Sequence, residues 1–143
     1  NGILLPRAAE ELKIPFVASG GMANARSLVS ARAFGAEGMN MGTRFIATKE
    51  APVHDNVKQR LVEASELETR LVMRPLRNTE RVLVNKAVDQ IMEIEASLEA
   101  AAWSCGMVAG LIHDVPTCQE LIDTIMKEAD EIINERLKGY ANA

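Results

Sequence analysis

The 143-residue sequence is poor in aromatic residues, histidine and cysteine. Aromatics make up 3% of it, and no basic cluster is interleaved with them. Sixteen basic residues against twenty acidic ones leave a net charge of −4, so nothing supports a nucleic-acid interface. No apolar run approaches the ~18 residues of a membrane-spanning helix, and no targeting signal is visible. The two cysteines, Cys105 and Cys118, have no metal-ligand spacing, so no metal site is expected. Reduced thiols in a cytoplasmic protein are the natural reading. Cys105 has no His or acid in a recognisable motif with it and makes a poor candidate nucleophile.

What is present is concentrated between Ile14 and Thr48, which reads as a strand–loop–helix–strand–loop unit. Phe16, Val17 and Ala18 form a short apolar run closed by Ser19-Gly20-Gly21, as expected of a strand buried on both faces of a parallel sheet. Asn24 can cap the following helix, whose Leu28, Ala31 and Phe34 lie at helical spacing. Gly35 stands where a left-handed helix end is wanted. Gly38-Met39-Asn40-Met41 makes a second strand, ending at Gly42-Thr43.

Two parallel strands thus each end in a glycine-containing loop, at the ends where α/β proteins bind ligands. N–H groups at Gly20, Gly21, Gly42 and Thr43 could converge on one anion, beside the positive end of the helix that follows Gly21. Ordinary strand-to-helix turns would read the same way. Arg44 suits either neutralisation of that anion or pairing with an acidic side chain.

The stretches Ala18–Arg26 and Gly35–Phe45 resemble the FMN-phosphate region of nitronate monooxygenases, once called 2-nitropropane dioxygenases, and of flavin-dependent enoyl reductases of fatty-acid synthesis. Thr48–His54, Arg74–Arg81 and Gly110–Cys118 favour the first family, and the resemblance runs nearly end to end. It implies an FMN-binding TIM (β/α)8 barrel, an α/β fold, with the flavin phosphate held by backbone groups at Gly20, Gly21, Asn40, Met41, Gly42 and Thr43. It also implies oxidation of alkyl nitronates by O2. The family usually has Gln where Asn40 and Met107 stand.

A TIM barrel needs about 250 residues, so the chain is expected to be the C-terminal portion of a longer protein, holding the last two of eight strands. The resemblance implies three parts. Residues 1–50 carry the last two β/α units, residues 51–112 a mostly helical segment of a smaller substrate domain, and residues 113–143 a helix returning to the barrel. The family's connection before the segment equivalent to Trp103–Gly106 is longer and richer in glycine. Its catalytic base is a histidine on an earlier strand, which nothing here matches, so no catalytic residue is assigned. An enoyl-thioester reductase using NAD(P)H is the alternative. So is a non-catalytic piece that self-associates, as a homo-oligomer, through uncovered strand edges and apolar helix faces.

The remaining sequence reads as structure. Leu4–Lys13 is a helix with Leu5, Ala8, Ala9 and Leu12 inward. Val53–Glu66 is a surface helix with Lys58, Arg60 and Glu63 outward. His54, at its start among charged residues, suits a solvated side chain better than a base. Thr69–Met73 fits a strand. Arg74, Arg77 and Arg81 form a local positive patch that could bind an anion but pairs by default with Glu66, Glu68 and Glu80. Asn78 or Thr79 can cap a helix reaching about Ala102, with Val82, Val84, Val88, Ile91, Met92, Ile94 and Leu98 as its apolar face. Gly106–Ile112 carries two glycines, for close packing on a flavin or on a neighbouring element. His113 and Asp114 suggest a base with its orienting carboxylate, although adjacent residues seldom point at each other. Thr117–Glu120 is a capping box for a final helix with Leu121, Ile122, Ile125, Met126, Ala129, Ile132, Ile133 and Leu137 on its core side.

Overall fold

The computed structural model describes residues 1–74, 77–86 and 104–141. The chain opens on helix α1 (Leu4–Glu11), which buries Leu5. Strand β1 (Val17–Ser19), helix α2 (Ala25–Ala33) and strand β2 (Gly38–Asn40) follow. The strands pair in parallel, with Val17 opposite Gly38, Ala18 opposite Met39 and Ser19 opposite Asn40. The α2 helix starts where expected, since Asn24 Oδ1 accepts from Ser27 N–H at 3.1 Å. It stops at Gly35, whose φ of 93° is costly for any residue with a Cβ. Ala18, Leu5, Met22, Ala31 and Ala36 form the core under this unit, with Phe16, Phe34, Met39 and Met41 against it.

Strand β1 is not buried on both faces: Ala18 is fully buried, but Val17 is 61% exposed. β2 is its one strand partner among the described residues, so one edge stays unpaired.

After β2 comes a four-residue helix, α3 (Thr43–Ile46), then α4 (Asp55–Glu63). Leu61 and Ala64 are buried as the spacing predicts, but Lys58 is not outward. It is buried, with Nζ donating to the Lys49 carbonyl at 3.1 Å and lying 3.8 Å from Asp55 Oδ1. Its aliphatic stem can cover apolar surface while the ammonium reaches polar atoms.

Strand β3 (Thr69–Val72) forms as expected, but residues 80–83 are strand, not helix. Strand β4 (Glu80–Leu83) pairs antiparallel with β3, Thr69 facing Leu83 and Val72 facing Glu80. Val82 and Leu83 are buried there. A run of Val, Leu and Val suits a pleated, half-buried ribbon, and cross-strand packing overrides the helical spacing. Arg81 donates to Thr69 Oγ1 at 2.9 Å, while Glu68 pairs with Arg60 at 2.5 Å. The rest of the expected helix, from Val88 to Leu98, lies outside the described residues, as does Trp103.

Met107–Leu111 forms one 3-10 turn. A Cβ on Gly110 would sit 2.6 Å from the backbone nitrogen of Glu66, so this glycine serves close packing on a neighbouring element. Helix α5 (Cys118–Glu131) starts with the expected capping box, both halves of which are formed. It packs against α2 and continues through a widened π turn at Ile132–Arg136 into the short helix α6 (Lys138–Ala141). Leu121, Ile125 and Ala129 are buried, but Ile122, Met126 and Ile133 are exposed, so the inward stripe is narrower than expected.

Candidate functional site

The pairing of Ser19 with Asn40 brings the ends of β1 and β2 side by side. Asn40 Nδ2 donates to Ser19 Oγ at 3.3 Å across that end. The Gly20-Gly21 loop and the Met41-Gly42-Thr43 loop therefore leave the sheet next to each other. All six expected residues, Gly20, Gly21, Asn40, Met41, Gly42 and Thr43, belong to these two strand ends.

Gly20 and Gly21 have φ of 85° and 74°. Two successive left-handed residues turn the backbone sharply, a conformation side chains with a Cβ resist. The Gly20 carbonyl accepts from Asn1 Nδ2 at 2.5 Å. An added Cβ would meet nothing within 4 Å at Gly20, Gly21 or Gly42. The glycines therefore front open space rather than packed protein, which suits a cradle in which backbone approaches a ligand closely.

The second loop enters α3 directly, with Gly42 as its N-cap. The first intrahelical bonds run from Phe45 and Ile46 N–H to the Gly42 carbonyl, at 3.0 and 3.2 Å. Earlier amides in the turn have no helical acceptor, as at any helix start.

Among the described residues, two long-range ties hold this loop. Gly106 N–H donates to Thr43 Oγ1 at 2.9 Å. Arg44 is 5% exposed and donates to Asp114 Oδ1 at 2.6 Å, to the Asp114 carbonyl at 3.2 Å and to the Ala47 carbonyl at 3.3 Å. Of the two readings of Arg44, the structure makes the acidic pair. The same pair answers the suggestion about His113, because the Asp114 carboxylate is engaged by Arg44. His113 is exposed. His54 caps α4, its Nδ1 accepting from Asn56 N–H at 3.1 Å.

Neither cysteine joins the strand ends. Cys105 is buried among Leu61, Ala64, Leu83 and Ala109, and burial pushes its thiol up to about 11. A thiol so protonated is a poor nucleophile. Cys118 begins α5, its N–H donating to both oxygens of Glu50 at 3.0 Å. Among the described residues no cluster of His, Cys, Asp and Glu could hold a metal, and no helix is long and apolar enough to cross a membrane.

A probable nitronate monooxygenase of Bacillus subtilis is 34% identical over 92 residues, covering 64% of this chain and 26% of that protein. An octahydro-indene-carboxyl-CoA dehydrogenase of Rhodococcus jostii is 29% identical, covering 89% of this chain and 53% of that one. FabK from Thermotoga maritima superposes with a TM-score of 0.87 at 31% identity, over 96% of this chain and 51% of that structure. The chain thus spans between about a quarter and about half of the length of these relatives. Its α/β unit is part of a TIM barrel, β1 and β2 being two of the parallel strands. The family described as nitronate monooxygenase matches residues 2–104, so the chain belongs to the nitronate monooxygenase family, a group of flavin-dependent oxidoreductases.

Proposed function

We propose that this chain supplies the phosphate end of an FMN site in an oxidoreductase that oxidises alkyl nitronates with O2. The observation carrying this reading is the juxtaposition of two glycine loops at the carboxyl ends of paired parallel strands, both fronting open space. Backbone groups of Gly20, Gly21, Asn40, Met41, Gly42 and Thr43 would hold the phosphate, which favours N–H donors and excludes side-chain bulk. The bound flavin supplies the redox chemistry, while the protein binds, orients and encloses it. No residue of this chain is assigned as acid, base or nucleophile. The two free cysteines suit a reducing, cytoplasmic setting.

The similarity to FabK favours a second reading, reduction of an enoyl thioester by NAD(P)H through the same flavin site. The phosphate end serves both reactions, so its geometry does not choose between them. The discriminating assay follows the FMN-loaded protein with a nitronate and O2, and separately with NADH and a crotonyl thioester. Nitronate turnover without NADH consumption supports the first reading, and the reverse overturns it. The phosphate site itself is tested by flavin titration, with saturable FMN binding expected.

A further inference from the structure

The helix α3 is only four residues long, too short to set its own orientation, since a helix of this length gains few internal hydrogen bonds. It must be positioned from outside, and its two long-range ties have different characters. The Thr43–Gly106 bond is neutral and made at the first residue of the helix. The Arg44 bonds are charge-assisted and reach both ends of the problem. One guanidinium nitrogen holds the Ala47 carbonyl, at the C-cap of α3, and the Asp114 carbonyl, while the other holds the Asp114 carboxylate. Ala47 itself is fully buried against Ala23, Val108 and Ile112. The guanidinium thus locks α3 to the segment between the Met107–Leu111 turn and α5, at the residue next to the Gly42-Thr43 loop.

We propose that Arg44 is a positioning residue for the anion loop, held in register by Asp114, rather than a ligand of the anion. This rests on the phosphate-site reading above. Asp114 lies outside that loop, and its side chain is 66% exposed, so its role is open to substitution. Geometry and charge make opposite demands. If Arg44 acted by its charge, removing the Asp114 carboxylate would free a positive charge beside the anion and tighten binding. If Arg44 acts by position, the loss of its fork partner slackens α3 and weakens binding.

The test is FMN titration of the full chain carrying Asp114→Ala, Asp114→Asn or Arg44→Lys, followed by flavin fluorescence, with a thermal melt of each variant. Asp114→Ala is expected to weaken FMN binding by about tenfold, the scale of a lost charge-assisted hydrogen bond. Asp114→Asn keeps an acceptor for the guanidinium and is expected to restore most of the affinity. Arg44→Lys keeps the charge, cannot form the fork, and is expected to bind as weakly as Asp114→Ala. Unchanged or tighter binding in Asp114→Ala overturns the proposal, and so does an equal loss in Asp114→Ala and Asp114→Asn. Should the unsubstituted chain fail to bind FMN, the phosphate-site reading falls first and this inference falls with it. Should it bind while the three variants bind equally well, only the inference falls.

Discussion

Thr43 and Gly106, separated by 63 positions in sequence, meet through one hydrogen bond of 2.9 Å from the Gly106 amide to the Thr43 hydroxyl. The bond joins the Gly42-Thr43 loop to the start of the Met107–Leu111 turn. A hydroxyl that accepts here still has its own proton to donate elsewhere. Replacing Thr43 with Val keeps the shape and removes the acceptor, leaving a part-buried amide unsatisfied. A loss of about 1–2 kcal/mol is expected in urea unfolding. Thr43→Ser, which keeps the oxygen, should lose less.

Gly42 separates backbone strain from ligand contact. Its φ of −99° is open to other residues, and an added Cβ meets no protein atom. Gly42→Ala should therefore leave the melting temperature of the free chain nearly unchanged. If phosphate sits against that backbone, the same methyl should weaken FMN binding about tenfold or more, an order of magnitude set by lost backbone hydrogen bonds. Paired melting and FMN titration of the variant measure both effects.

Acid should loosen the joint between the segment after α3, at Glu50, and α5. Glu50 is held below the usual carboxylate range chiefly by the Cys118 amide, and Glu120 by the Thr117 amide. Carboxyls lowered in the fold contribute stability above their unfolded value, 4.5 here, and lose it as pH falls through the folded value. Melting temperature should drop as pH is taken from 5 towards 3. The drop should be shallower in the Glu50→Gln and Glu120→Gln double variant, because those two groups no longer titrate.

Base should act through Cys105. Its thiol is raised from 9.0 to about 11, chiefly by burial, with the Arg81 charge opposing. The folded chain then keeps a proton that the unfolded chain gives up, so stability is complete below about 9 and declines as pH rises towards about 11. Urea midpoints at both ends of this window should differ more for the native sequence than for Cys105→Ala. At pH 8, iodoacetamide should label Cys118 ahead of Cys105.

Local chemistry was legible in the sequence; long-range ties were not. The Asn24 cap, the left-handed Gly35 and the Thr117–Glu120 box each depend on a few neighbouring residues, and each formed. That β1 and β2 are parallel strands ending in glycine loops was also legible, from two short runs each closed by glycine, whereas their register is set by the pairing itself. Nothing near Arg44 announced Asp114 as its partner, 70 positions away. Val82 departs from its sequence pattern for a different reason: its neighbours satisfy helical spacing, and only pairing with Thr69–Val72 decides for strand. Lys58 misled for a third reason, since its charge predicted solvent while its partner is a backbone carbonyl. Val17 is exposed because it lies on the face of β1 opposite the buried Ala18, and that face is open.

The most direct test of the account compares FMN with riboflavin, which differs by the phosphate alone. Titration of the chain with each, followed by flavin fluorescence, isolates the contribution of the two glycine loops. Saturable FMN binding is expected, with riboflavin binding weaker by at least about tenfold, as several backbone donors lose their anion. Equal affinity for the two flavins, or no FMN binding, would contradict the claim that these loops form a phosphate site.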